Sequence, residues 1–282
     1  MISSAIERLR HLVSLPDQDF SLAEAALLIA KDEYPDLDVA AYISRLDELA
    51  RKVRAQLPKH AGFEDTILIL NQVMFEEQGF AGDTDNYYDP RNSFLNEVLD
   101  RKLGIPLTLS IVYMEIGRRL GLPLEGVPFP WHFLVKVSTA EGDVVLDPFS
   151  GGICLSEEDL VERLEGLGLD EGTSLATFAR TLVAQPMDKK QVVLRMLRNL
   201  KGIYLHKQDY AKALAAAERI LLVAPDMPEE IRDRGSIYAR LECFQAALND
   251  YRRYLQLEPA ANDAAEVHQR IIELQRLSAH IN

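Results

Sequence analysis

Cysteine is scarce in this chain: two residues in 282, Cys154 and Cys243. Two cysteines so far apart in sequence do not make a disulfide framework. Tryptophan occurs once, as Trp131, and its apolar neighbours make it a core residue by expectation. No run of about eighteen uncharged apolar residues occurs, so no membrane span is expected. The first residues, MISSAIERLRHLVSLP, lack the apolar stretch and small-residue cleavage site of a secretory signal. The expectation is a soluble cytoplasmic protein. Also missing are a P-loop, an HExxH helix, paired CxxC motifs and a dinucleotide fingerprint. His11, His60, His206, His268 and His280 are scattered and receive no metal role, so no cofactor or metal is expected. The acidic loop Gly82–Asn92 lacks the central glycine and terminal glutamate of a calcium loop.

Positive charge is short as well, but unevenly. Residues 1–187 hold 16 Lys and Arg against 31 Asp and Glu, a net −15; residues 188–282 hold 15 against 13, a net +2. The acidic part argues against nucleic-acid binding, which depends on neutralising phosphates. At this length two domains are expected, here 1–187 and 188–282.

What is present begins with helices. Ser21 and Glu24 fit a capping box before a run of Ala, Leu and Ile. Asp38 fits the cap of a helix with Ile43, Leu46, Leu49 and Val53 on one stripe. Phe63 to Phe75 reads as another helix, stopping near Gly79. Leu107 to Leu120 is apolar on nearly every face as far as Arg118, the pattern of a helix buried all round. Pro106 suits its first turn and Gly121 its stop. Glu125–Val127, His132–Val137 and Val144–Leu146 then read as strands, with a hairpin turn at Ala140–Asp143. Ser156 and Asp159 suggest a cap for a helix reaching Leu167, and Gly168–Pro186 reads as a mixed link.

From Leu194 the chain repeats itself. Pro225 and Pro259 are 34 residues apart, and at the same offset Tyr204 matches Tyr238, Tyr210 matches Phe244, Ala213 matches Ala247 and Ala217 matches Tyr251. Small alanines let paired helices approach, aromatics fill the space between them, and each proline ends a second helix. The period and chemistry resemble tetratricopeptide repeats, spanning about 194–227 and 228–261, followed by a capping helix over Asn262–His280. Two repeats are fewer than the three or so that usually stand alone, so packing against another part is expected. In such repeats the first helix of each pair lines the concave face. The matching positions include Arg195, Arg198, Asn199, Arg232 and Arg240, whose forks suit carboxylates, so an acidic peptide or protein is the expected partner. Solvated side chains on a charged helix face are the alternative.

Chemistry would centre on His132 and Asp147. His132 could accept a proton and Asp147 could fix its tautomer. A strand histidine bonded to backbone, and an Asp-Pro turn ending a strand, are the alternatives. The spacing predicts the pair within hydrogen-bonding reach on adjacent antiparallel strands.

The pieces NSFLNEVL, GIPLTLSIVY, HFLVKV and LDPFSGG resemble the transglutaminase-like core of the SirB-type family, in which tetratricopeptide repeats follow the core, as here. The resemblance covers most of the chain. It implies an α+β fold: a mainly helical, papain-like N-terminal domain with a small antiparallel sheet, then an all-α repeat domain. In active members of the wider superfamily a cysteine opens the buried helix, where the helix N-terminus lowers its pKa. By the spacing to Gly121-Leu122-Pro123 that position falls here on Pro106, which has no nucleophilic atom. His132 and Asp147 match the family's His and Asp. Thr108 and Ser110 lie in the first turns of the same helix; either is a substitute nucleophile or simply bonds the helix start. Cys154 is read as a small apolar side chain rather than a relocated nucleophile. The implied function is a non-catalytic protein-binding or regulatory module, the alternative a hydrolase or acyltransferase with a non-cysteine nucleophile.

Overall fold

The computed structural model describes residues 4–168 and 174–281. Part of the expected link, 169–173, and the side chain of His280 lie outside the described residues. The chain forms two compact units, Met1–Met196 and Leu197–Asn282.

The first unit opens with α1 (Ser4–Ser14), α2 (Leu22–Ala30) and α3 (Val39–Gln56). Ser21 caps α2 by accepting from Glu24 N at 3.3 Å, but the Glu24 carboxylate turns to Arg8 at 2.6 Å, so only half of the expected box forms. Asp38 caps α3 as expected. The apolar stretch after Gly62 divides into α4 (Phe63–Asn71) and a π-helical segment, Gln72–Glu77. This widened turn has no sequence signature, and such turns often mark functional regions. Two short strands, β1 (Ala81–Gly82) and β2 (Leu103–Gly104), pair in parallel around α5 (Leu95–Arg101). They were not legible as strands because each has only two residues.

The buried helix is α6 (Pro106–Leu120), with Pro106 as its first residue and left-handed Gly121 as its stop. Every residue from Pro106 to Gly117 is buried. After it come β3 (Glu125–Phe129), β4 (His132–Thr139), β5 (Gly142–Asp147) and β6 (Ile153–Leu155), an antiparallel sheet in sequence order. The first three are longer than their sequence patterns, and β6, with only Leu155 turned inward, was not anticipated. Strand β4 is buried on both faces, which explains its unbroken apolar run. Leu134 joins Val127, Phe129, Val145 and Leu155 in a core with α7 (Glu157–Glu165) and α8 (Leu175–Ala184). Phe133, Val135 and Val137 point to the other face by the period-two rule, and there the Ser110 hydroxyl of α6 meets the Phe133 carbonyl at 3.4 Å.

The second unit holds the end of α9 (Lys189–His206), then α10 (Tyr210–Val223), α11 (Pro228–Arg240), α12 (Phe244–Leu257) and α13 (Ala264–Ile281). The repeat reaches down to the backbone: Gln208 and Glu242, 34 positions apart, both take left-handed φ near 59° and 58° before α10 and α12. Ala213, Ala217, Ala247 and Tyr251 are buried, and Pro225 and Pro259 each stand two residues beyond a helix end.

Candidate functional site

His132 is the first residue of β4 and Asp147 the last of β5. The antiparallel register brings both to one end of the sheet. Their side chains meet as expected: His132 Nε2 lies 2.9 Å from Asp147 Oδ1. Asp147 is fully buried and its two oxygens are heavily used. Oδ1 also accepts from Phe149 N at 3.0 Å and Ser150 N at 3.3 Å; Oδ2 accepts from Ser150 Oγ at 2.8 Å and from Arg163 of α7 at 2.8 Å. Burial pushes the carboxyl up, but the bonds and charge from His132, with Arg163 and Ser150, outweigh it and bring it down to about 2. Asp147 is therefore an anion that fixes the imidazole, with Nε2–H as the donor. The His132 side chain is 18% exposed, and among the described residues its Nδ1 meets no partner. The Phe149 ring stands edge-on to the imidazole at 5.7 Å between centroids. A side chain at Gly82 of β1 would run into that ring, so the β1 backbone approaches the site closely.

Sequence reasoning missed the partners that hold Asp147. Ser150 was legible, because an Asp followed closely by Ser in a turn signals local side-chain bonds. Arg163 was not, since only the packing of α7 brings it in. A second missed chain supports the same loop. Tyr113 of α6 donates to Asn71 Oδ1 at 2.8 Å, Asn71 donates to Gly152 O at 2.9 Å, and Gly152 N donates to Asp147 O at 2.8 Å.

The hydroxyls of α6 are occupied elsewhere. Thr108 is fully buried, donates to Asn92 O at 2.6 Å and accepts from Ile105 N at 3.2 Å. Ser110 is fully buried and its nearest partner is the Phe133 carbonyl. Neither has a hydrogen bond to His132.

Two expectations are corrected. Trp131 is not core: it is 84% exposed, in a two-residue turn between β3 and β4, with a left-handed φ of 56°. The hairpin register puts it at the tip, where no layer covers it. Cys154 is exposed rather than packed, because it lies on the edge strand with its side chain outside the core.

The arginines also differ from expectation. Arg195, expected on a peptide-binding face, is turned onto this hairpin. Its guanidinium donates to His132 O at 2.6 Å and lies over the Phe133 ring, and burial lowers its pKa. Arg198 bonds Glu230 at 2.7 Å, and Arg232, 34 positions later, bonds Asp263 at 2.6 Å. These two are neither free forks nor solvated: the start of the next helix supplies each with a carboxylate. Lys201 joins Glu230 and Asp233 at 2.5 and 2.7 Å. Asn199 is half-buried. Arg240 lies 6.0 Å from the Tyr210 ring. Arg232 and Arg240 do border a groove of about 620 Å³ along α11 and α13, together with Phe244, Arg270 and Leu277.

Among the described residues no group of His, Cys, Asp and Glu could hold a metal ion, and no helix is long and apolar enough to cross a membrane.

The model of the transglutaminase-like superfamily matches residues 40–198, and that of a tetratricopeptide repeat matches 200–271. A UPF0162 protein of Xylella fastidiosa (strain Temecula1) is 38% identical over 273 residues, 96% of each chain. A UPF0162 protein of Vibrio cholerae is 33% identical over 258 residues, 90% of this chain and 93% of its own. Protein SirB1 of Salmonella typhimurium is 29% identical over 253 residues, 87% and 91% of the two chains. With its buried α6, its His132–Asp147 pair and its 34-residue repeat, the chain belongs to the SirB-type, or UPF0162, family: a transglutaminase-like core followed by tetratricopeptide repeats.

Proposed function

We propose that this protein is a non-catalytic member of its superfamily that works in the cytoplasm as a protein-binding, regulatory module. The observation that carries the reading is the start of α6. Its first residue is Pro106, where active relatives place a thiol, and the nearby hydroxyls of Thr108 and Ser110 are buried and bonded to carbonyls. A histidine held by an anionic aspartate has nothing beside it to deprotonate. The pair then serves to order the hairpin and the Asp147–Gly152 loop, whose exposed tip carries Trp131. The repeat groove beside Arg232, Arg240 and Arg270 takes a protein segment bearing carboxylates, which exchange with the internal acids Asp263 and Asp233.

The intact His132–Asp147 pair favours one other reading, a hydrolase or acyltransferase with an unusual nucleophile. The two are separated by incubating the full chain with an activated ester and with a glutamine peptide plus amine. Turnover no higher than that of His132→Ala is expected, with no His132-dependent labelling of Ser110 by a fluorophosphonate or of Cys154 by an acyl probe. Turnover or labelling that disappears in His132→Ala overturns the non-catalytic reading. For the groove, a glutamate-rich peptide should bind less tightly as salt rises beyond about 0.1 M, where screening reaches about 10 Å. Affinity indifferent to both salt and Arg240→Ala would refute the carboxylate-bearing partner.

A further inference from the structure

Far from the His132 loop in sequence, the end of α5 carries an amine in an unusual setting. Lys102 closes α5 in the left-handed conformation, φ 63°, where glycine is the usual residue. Its side chain is half-buried, and Nζ lies 4.3 Å from the centroid of the buried Phe80 ring. Two more cations act on it from α3, Arg45 and Lys52, and one anion from α5, Asp100. That anion is already occupied: Arg45 holds Asp100 Oδ1, and Tyr42 donates to Oδ2 at 2.6 Å. Lys52 bonds Gln78 at 3.0 Å. Among the described residues Lys102 Nζ itself meets no hydrogen-bond acceptor. The cluster thus has three cations around one committed carboxylate, on the more acidic portion of the chain.

We infer that Lys102 is a modification site acylated by small acyl phosphates. The surplus of cations receives the phosphate, and the amine beside it attacks. The nitrogen lone pair forms a bond to the carbonyl carbon, the carbon–oxygen bond to phosphate breaks, phosphate leaves with the electron pair, and the ammonium proton passes to water. The product is an amide with no charge, lying over Phe80. Burial first, then Arg45 and Lys52, lowers the Lys102 pKa to about 8, so a large share of the amine is free base near neutrality, whereas an ordinary lysine has almost none. An amine in this state is the nucleophilic kind.

The test treats the full chain with acetyl phosphate and measures acetylation of its ten lysines by peptide mass spectrometry. Lys102 should react on the order of tenfold faster than the exposed Lys59 and Lys207. Excess inorganic phosphate should reduce this preference, and so should the surface variant Lys52→Gln. Acetic anhydride, which carries no phosphate, should prefer Lys102 less strongly. Equal rates at Lys102 and the exposed lysines overturn the proposal. An equal preference with both reagents, or one insensitive to phosphate, overturns the role of the cation cluster in receiving the acyl donor.

Discussion

Asp147 shows how much of the site's character rests on one buried carboxylate. Its five hydrogen-bond and ion-pair contacts hold it near 2, against the usual 3.8. The folded pKa lies below the unfolded one, so the stabilisation is complete above about pH 4 and is lost as pH falls towards about 2. The shift corresponds to roughly 2 kcal/mol. Urea midpoints measured down this range should fall in the native chain, and the fall should be shallower in Asp147→Asn. That variant should also be less stable at neutral pH by about 2–4 kcal/mol, because Arg163 loses its anion. Equal pH slopes in the two chains would show that Asp147 is not the titrating group. His132 and Asp147 were both legible in sequence, one at the head of a strand pattern and one at the end of the next. Trp131 was misread because its neighbours are apolar and only the hairpin register places it at the tip.

At the scale of the element, the loop after β5 is tied to α6 through a glycine. Gly152 has φ 76°, and a side chain there would overlap Asn71, which links Tyr113 to the loop. Gly152→Ala should therefore combine backbone strain with a broken bridge and cost about 2–3 kcal/mol. In a chain this size that lowers Tm by about 5–10 °C by calorimetry. Asn71→Ala should lose less, since the backbone strain is absent. A Gly152→Ala protein as stable as the native one would mean the loop is not held this way. Helices α2, α3, α6 and α7 were legible from caps and apolar stripes. The π-helical segment, β1, β2 and β6 were not, because they are short and depend on what they pack against rather than on local propensity.

For the whole molecule, the two units have separate cores, so damage to one should unfold it by itself. Glu230 is buried between Arg198 and Lys201, and Lys201 is buried with it. Glu230→Ala leaves that lysine with only Asp233 and should destabilise the second unit by about 3 kcal/mol. Calorimetry should then show a separate, earlier transition, with the first unit's melting unchanged. A single transition shifted as a whole would mean the units unfold together.

The sequence by itself determined the α+β core, the 34-residue repeat, the His–Asp pair and the proline where relatives carry a thiol. These are written in local periodicity, in turn chemistry and in residue identity, none of which needs a partner to be read. Tertiary structure alone decided what each polar group faces: Arg195 on the His132 carbonyl, Arg198 and Arg232 on the carboxylates of a following helix, Arg163 on Asp147, and Lys102 without an anion. Charge and hydrogen-bonding capacity belong to the residue, but the partner that satisfies them comes from a different part of the chain, and only packing brings the two together.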